Sequence, residues 1–427
     1  MTRSIAWSCV GVILLLGNMP VLAEGDAEPN EPFWAQWPVE VHGFAELRGG
    51  YRLQNDRYQK DMSIMEARLH TDLSYYPDWG EVIVKADVYG DGVTEQGEFD
   101  LREASVLASP LDFMDIQVGR QIMTWGTGDL IFINDMFPKD WQSFFIGRDT
   151  NYLKAPSDAV KASLFFDWVD VDLAYTPLFD SDRYITGEYI SYWDPAQGRA
   201  AGRDTPIGTD KPDSWFRDDE LAMRLYKTVK GYELALYGYW GFWKSPAGMN
   251  LAGRGQFPQL NVYGASAQNA LGAGIANLEI GYYDSRDDSG GTDPMVSNSE
   301  FRYLAGYTQE VGHELTAGVQ YYVEQLLDYG EYRAFLPPGM MARDRYRHVI
   351  TGRLTKLLMN QNLTCSLFGY YSPSDKDSYI RPHFKYKTSD AMALEVGANI
   401  FMGCEPHTFF GQFEDNTNLY TAIRYSF

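Results

Sequence analysis

The last ten residues, NLYTAIRYSF, alternate strictly: Leu419, Thr421, Ile423, Tyr425 and Phe427 fall on one face, Tyr420, Ala422, Arg424 and Ser426 on the other. A period of two is that of a β-strand whose faces meet different surroundings. The same period recurs near the start, where Val39, Val41, Gly43, Ala45, Leu47 and Tyr51 alternate with Glu40, His42, Phe44, Glu46, Arg48 and Arg52. Followed along the chain it predicts strands at 39–51, 63–75, 81–89, 99–108, 114–121, 158–165, 168–176, 219–229, 232–243, 258–268, 274–283, 300–309, 314–324, 346–357, 362–371, 379–387, 391–401 and 418–427. The connections sort into eight short turns, such as 76–80 and 310–314, alternating with nine longer polar loops.

Ionised residues recur on the face opposite the apolar one, so that face is expected to meet water. Aromatic content of 15% with 30 Tyr and 40 Gly is high, while the balance of 36 basic to 58 acidic residues makes the chain strongly acidic. These features together predict an all-β fold, a transmembrane antiparallel up-and-down β-barrel of about 18 strands, within a range of 16–20. At that size the barrel encloses a lumen rather than a packed core. No basic patch for nucleic acid is present.

The N-terminus, MTRSIAWSCVGVILLLGNMPVLAEG, has one cation, a short apolar run and small residues at Val21 and Ala23, the pattern of a secretory signal peptide over 1–23. Residues 24–38 are then expected as a periplasmic segment and 39–427 as one barrel domain. Of the three cysteines only Cys365 and Cys404 lie beyond the signal peptide, without CxxC or haem-attachment spacing. The six histidines are scattered, and neither HExxH nor GxSxG occurs. No enzyme, cofactor or metal is expected; His42 and His70 are placed close together on adjacent strands, as ordinary lining.

One stretch breaks the alternation: GRQIMTWGTGDLIFINDMFPKDWQSFFIGRD, from Gly119 to Asp149. Trp125, Leu130, Ile131, Phe132, Ile133, Met136, Phe137, Trp141, Phe144, Phe145 and Ile146 would form a costly apolar patch in water. The barrel wall is the nearest surface against which they could pack. Gly126 and Gly128 are suited to tight turns, and Pro138 to stopping a short helix. The segment 122–156 is therefore expected to fold back into the barrel as a constriction loop; an external loop packed on neighbours or on a partner subunit is the alternative. Its polar residues Asp129, Asp135, Lys139, Asp140, Arg148 and Asp149 are candidates to border the opening. They would face the pore-wall residues His42, Arg48, Arg68, His70, Lys85 and Asp87, with Arg353 and Arg381 in a later basic sector. Counted over all the strands, thirteen inward cations meet thirteen inward acids.

A strand ending in Phe427 with Tyr425 two before it resembles the terminal insertion signal of outer-membrane barrels. The overall arrangement resembles Gram-negative porins, and GRQ followed by WGTGD resembles the start of the constriction loop in uncharacterised porin-like and polysaccharide-export barrel families. The resemblance implies a passive outer-membrane channel for small hydrophilic solutes or an exported glycan, with acids on the loop set against bases on the wall. It also implies membrane lipid, lipopolysaccharide and the barrel-assembly machinery as partners, and leaves homo-oligomers open. The alternative is a structural barrel acting as sheath or docking partner for a cytochrome or secretion component.

Overall fold

The computed structural model describes residues 38–195 and 197–427. The expected signal peptide and nearly all of the expected periplasmic segment lie outside these. Eighteen strands form one sheet. They are β1 (Val39–Arg52), β2 (Met62–Tyr75), β3 (Gly80–Asp91), β4 (Gln96–Leu111), β5 (Met114–Gln121), β6 (Ser157–Phe165), β7 (Asp170–Thr176), β8 (Glu220–Val229) and β9 (Tyr232–Phe242), followed by β10 (Gln259–Leu271), β11 (Gly274–Ser285), β12 (Glu300–Gly312), β13 (Leu315–Leu326), β14 (Tyr346–Leu358), β15 (Leu363–Ser372), β16 (Asp377–Lys387), β17 (Met392–Gly403) and β18 (Asn418–Ser426). Each pairs antiparallel with the next, and β1 pairs with β18 from Phe44 opposite Ser426 to Arg52 opposite Asn418. The sheet is thus a closed barrel with no free edge, which is how a sheet satisfies its backbone in lipid.

Every expected strand is present, but two of the nine expected long loops are short. The connections at 92–95 and 373–376 are tight because the flanking strands run on and a carboxylate closes each turn. Asp91 accepts from the Val93 amide at 2.7 Å, and Asp375 and Ser372 bond each other across the second turn. Glu95 and Lys376 take the left-handed backbone conformation these turns need. The longest connections, at 122–156 and 177–219, lie at the same end. Small unexpected ladders form in the outer loops, pairing Tyr192–Asp194 with Arg199–Ala201 and joining Thr209–Asp210, Gly248–Met249 and Gly255–Gln256.

The two faces of the wall differ in kind. Leu47, Met65, Val88, Leu236 and Leu278 are 48–59% exposed on the outer face, a band suited to lipid. Trp79, Phe113 and Trp168 stand at the short-turn rim, where aromatic rings sit at a membrane interface. On the inner face the cations and acids find one another along and across strands: Arg48 with Glu46 on its own strand and Glu395 two strands away, Arg68 with Glu66 on its own strand and Asp87 on the next, and Lys85 with Glu103, Arg224 with Glu233 and Arg424 with Glu46 on adjacent strands.

Candidate functional site

The segment leaving β5 turns at Gly126, whose positive φ of 83° places the next amides side by side. The Thr127 and Gly128 N–H groups and the Thr127 hydroxyl all donate to one carboxylate oxygen of Glu279 on β11, the last two at 2.8 Å. Asn134 donates to the other oxygen at 2.9 Å. A side chain at 128 would bring its Cβ to 2.3 Å from the Ile131 carbonyl, so glycine is required there. One residue on, Gln320 of β13 accepts from the Asp129 amide at 2.7 Å and donates to its carbonyl at 2.8 Å, imitating a strand neighbour. Arg353 of β14 forks onto the Asp129 carboxylate at 2.5 and 2.8 Å. The Tyr370 hydroxyl donates to the Leu130 carbonyl. The WGTGD stretch is therefore a clasp, with three backbone donors and one acid gripping three strands of the wall.

The segment then forms a short α-helix, α1 (Trp141–Ile146), followed by a 3-10 turn over Thr150–Leu153. The helix begins three residues after Pro138 rather than ending there. The Asp140 carboxylate starts it by accepting from the Ser143 amide at 2.7 Å, and left-handed Gly147 ends it. Phe145 packs edge-on against Tyr379 and Phe401, each with ring centres 5.5 Å apart. All eleven apolar residues singled out in the segment belong to the main hydrophobic cluster or pack on it. Beyond the helix, Arg48 donates to the Gly147 carbonyl at 2.9 Å and Arg381 to the Arg148 carbonyl at 3.0 Å. Arg148 itself bonds Glu66 on β2 at 2.5 Å, while Asp149 meets Arg424 at 3.0 Å and Lys385 at 4.0 Å.

These pairs set the titration of the two loop residues. Burial would lower the Arg148 pKa, but the Glu66 carboxylate beside it, with Tyr89 and Asp140 adding to it, raises it well above its ordinary value. Burial would raise Asp149, but Arg424, the Asn151 amide and Lys385 together hold its carboxyl below the usual range.

Several candidate residues differ from expectation. Asp140 and Arg148 do not border an opening, whereas Asp135 and Lys139 reach the lining of the vestibule described below; all four are 1–6% exposed and hold the segment together or to the wall. Asp135 pairs with Lys139 at 2.9 Å and accepts from Thr124 at 2.7 Å. Trp125 packs edge-on against Phe137, ring centres 4.9 Å apart, and beside Tyr237. Only Asp129 and Asp149 keep accessible carboxylates, each facing wall bases. On the wall, Arg48, Arg68, Asp87 and Arg381 are buried, whereas Lys85 and Arg353 keep about a third of their side chains exposed. His42 lies opposite Asp72, one diagonal step from His70 on the same face. His70 stacks on Phe44 with ring centres 4.8 Å apart and hydrogen-bonds Asp87 at 2.7 Å.

Sequence reasoning missed Gln320 and did not assign Glu279 and Glu66 as the segment's anchors. Their signal is a polar side chain breaking an aromatic or aliphatic strand, as in NLEIGYY around Glu279. Above the segment, toward the long loops, lies a vestibule of about 1480 Å³, with Phe132 and Trp141 of the segment among its lining and Trp243, Arg302 and Arg347 from the wall and loops. The acidic stretch 284–293 is folded around Asp288, which accepts from the Thr292 and Asp293 amides at 3.1 and 2.8 Å.

No family model matches the chain, and no curated protein matches it in sequence. Solved structures do resemble it in fold. OccK5 (OpdH) of Pseudomonas aeruginosa superposes with a TM-score of 0.54 at 8% identity, over 91% of this chain and 97% of that one. Acinetobacter baumannii OccAB3 gives 0.54 at 11% identity, over 91% and 99%. Pseudomonas aeruginosa OccK11 (OpdR) gives 0.50 at 9% identity, over 90% and 95%. The fold is that of Gram-negative outer-membrane porins.

Proposed function

We propose that the protein is an outer-membrane channel for small hydrophilic solutes, with segment 122–156 folded into the lumen as its constriction. The observation that carries this reading is the set of bonds from Glu66, Glu279, Gln320, Arg353 and Arg424, on strands spread around the barrel, to one connection between β5 and β6. A segment bonded to so many inward-facing side chains narrows whatever passage remains. The vestibule collects solute, and the paired wall offers hydrogen bonds of both signs without a net charge that would bar either. Asp129 against Arg353 and Asp149 against Arg424 set acids on the loop against bases on the wall, a field across the passage that orients polar solutes.

The test is single-channel conductance in planar bilayers. Replacing Asp129–Gly147 by a short Gly/Ser linker is expected to raise conductance and admit larger sugars, because the strand ladder, not the segment, satisfies the backbone in lipid. An unchanged conductance and solute cutoff would overturn the constriction. The breadth of the segment's contacts favours one second reading, a barrel closed at rest and serving as a sheath. It predicts a wild-type protein that does not conduct and a deletion variant that does.

A further inference from the structure

The outer face of the wall is not uniformly convex. Across β9 to β13 two rows can be read from the strand register. One runs Leu234, Ala267, Leu278, Ala305, Tyr321, and the next runs Leu236, Ala265, Ile280, Tyr303, Val323. Ala265 and Ala267 lie on β10 between the larger side chains of β9 and β11, so they floor a trough. The structure shows a concavity of about 860 Å³ there, lined almost wholly by apolar side chains. Lipid chains are flexible enough to fill such a trough where a flat wall offers only transient contact.

The trough reaches the short-turn rim at Val169, Lys227 and Val229, one residue short of the β8–β9 turn, and charge is distributed unevenly along that rim. Among the eight short turns joining β2–β3, β4–β5, β6–β7, β8–β9, β10–β11, β12–β13, β14–β15 and β16–β17, the only Lys or Arg is Lys230, in the β8–β9 turn. Asp78, Asp112, Asp167, Glu314 and Asp390 occupy other turns. Lys230 is exposed. Lys227, opposite Leu234 at the edge of the trough, keeps a third of its side chain exposed while donating to the Phe166 carbonyl at 3.0 Å and lying 3.6 Å from Asp170. A lysine stem along apolar surface with its ammonium at the interface is the usual way to meet a lipid phosphate.

We propose that this wall carries a site for one anionic phospholipid of the periplasmic leaflet. An acyl chain lies on Ala265 and Ala267, and the phosphate is at Lys230 and Lys227. The basic turn beside an apolar trough matches one phosphate head and one acyl chain, and a second copy of the chain on this face is an outcome that the test below distinguishes.

The test uses the full folded barrel in mild detergent, incubated with equal amounts of phosphatidylglycerol and phosphatidylcholine of identical acyl chains and read by native mass spectrometry. The expected result is one retained phosphatidylglycerol, favoured about tenfold over phosphatidylcholine. Lys230→Gln should bring that preference to within about twofold, and Ala267→Phe, an apolar change on a lipid-facing surface, should reduce retention of both lipids. Heat-modifiable gel mobility checks that each variant is folded. Equal retention of the two lipids by the wild type, retention unaffected by Ala267→Phe, or an oligomer that Ala267→Phe dissociates would each overturn the proposal.

Discussion

At the residue scale, the segment is held by charges that have few alternatives. Arg148 is buried against Glu66, which also accepts from Arg68 at 2.7 Å. Truncating one member of a buried pair leaves the other poorly compensated and costs about 3 kcal/mol. Arg148→Ala is expected to loosen the segment by about that amount, seen as faster proteolysis between 122 and 156 with unchanged resistance of the barrel. Asp149 makes a second prediction, with a pH sign. Its carboxyl pKa is held low, against burial, by Arg424, the Asn151 amide and Lys385 together, so its contribution is fully present above the unfolded carboxylate pKa of about 4 and is lost as pH falls through the lower folded value. Channel current should therefore not change through this residue between pH 7 and about 4. An acid-side change below that should shrink in Asp149→Asn; a transition of the same size in that variant would assign it to another group.

At the element scale, each strand is a two-sided object, and neighbouring residues live in different solvents. Leu69, opposite Ala45 and Val88, shares the outward face with Leu47 and Met65, whereas His70 beside it bonds inward to Asp87. Arginine at Leu69 should cost about 2–4 kcal/mol if it lies near the midplane, and arginine at His70 much less in the lipid-transfer term. Refolding titrations into vesicles would measure both, and equal costs would mean that the face assignment is wrong. Alternation made the strands legible because one side of every strand repeats the same chemistry. Strand ends were less legible: Asp91 closes its turn by accepting from the Val93 amide and Asp375 by bonding Ser372, which no periodicity reports. The segment's burial was legible from Trp125 to Ile146 because that much apolar surface must be covered. Its anchors were not, since Glu279 lies about 150 residues from the turn it grips and Glu66 about 80 from Arg148. Polar residues spaced two apart along a strand look alike until the register says which one meets the loop.

At the scale of the whole molecule, the seam between β1 and β18 joins the two ends of the barrel. Phe427 and Gly43 exchange backbone hydrogen bonds of 3.0 and 3.1 Å, and a Cβ at Gly43 would crowd both the Phe427 ring and the His70 carbonyl. Removing Phe427 should therefore lower the yield of folded barrel as well as weaken any insertion signal, measurable as the heat-modifiable fraction after refolding. The same seam orders events in time. Segment 122–156 is complete when less than half of the chain has been laid down, yet its partners include Glu66 near one end of the sequence and Arg424 near the other. Contacts this distant in sequence form slowly. The bond from Asp149 to Arg424 waits for the last strand, so the proposed narrowing of the passage is expected to be completed only after the wall has closed. A newly inserted barrel should accordingly be leaky before it is selective, with conductance falling to its mature value after the wall already resists protease.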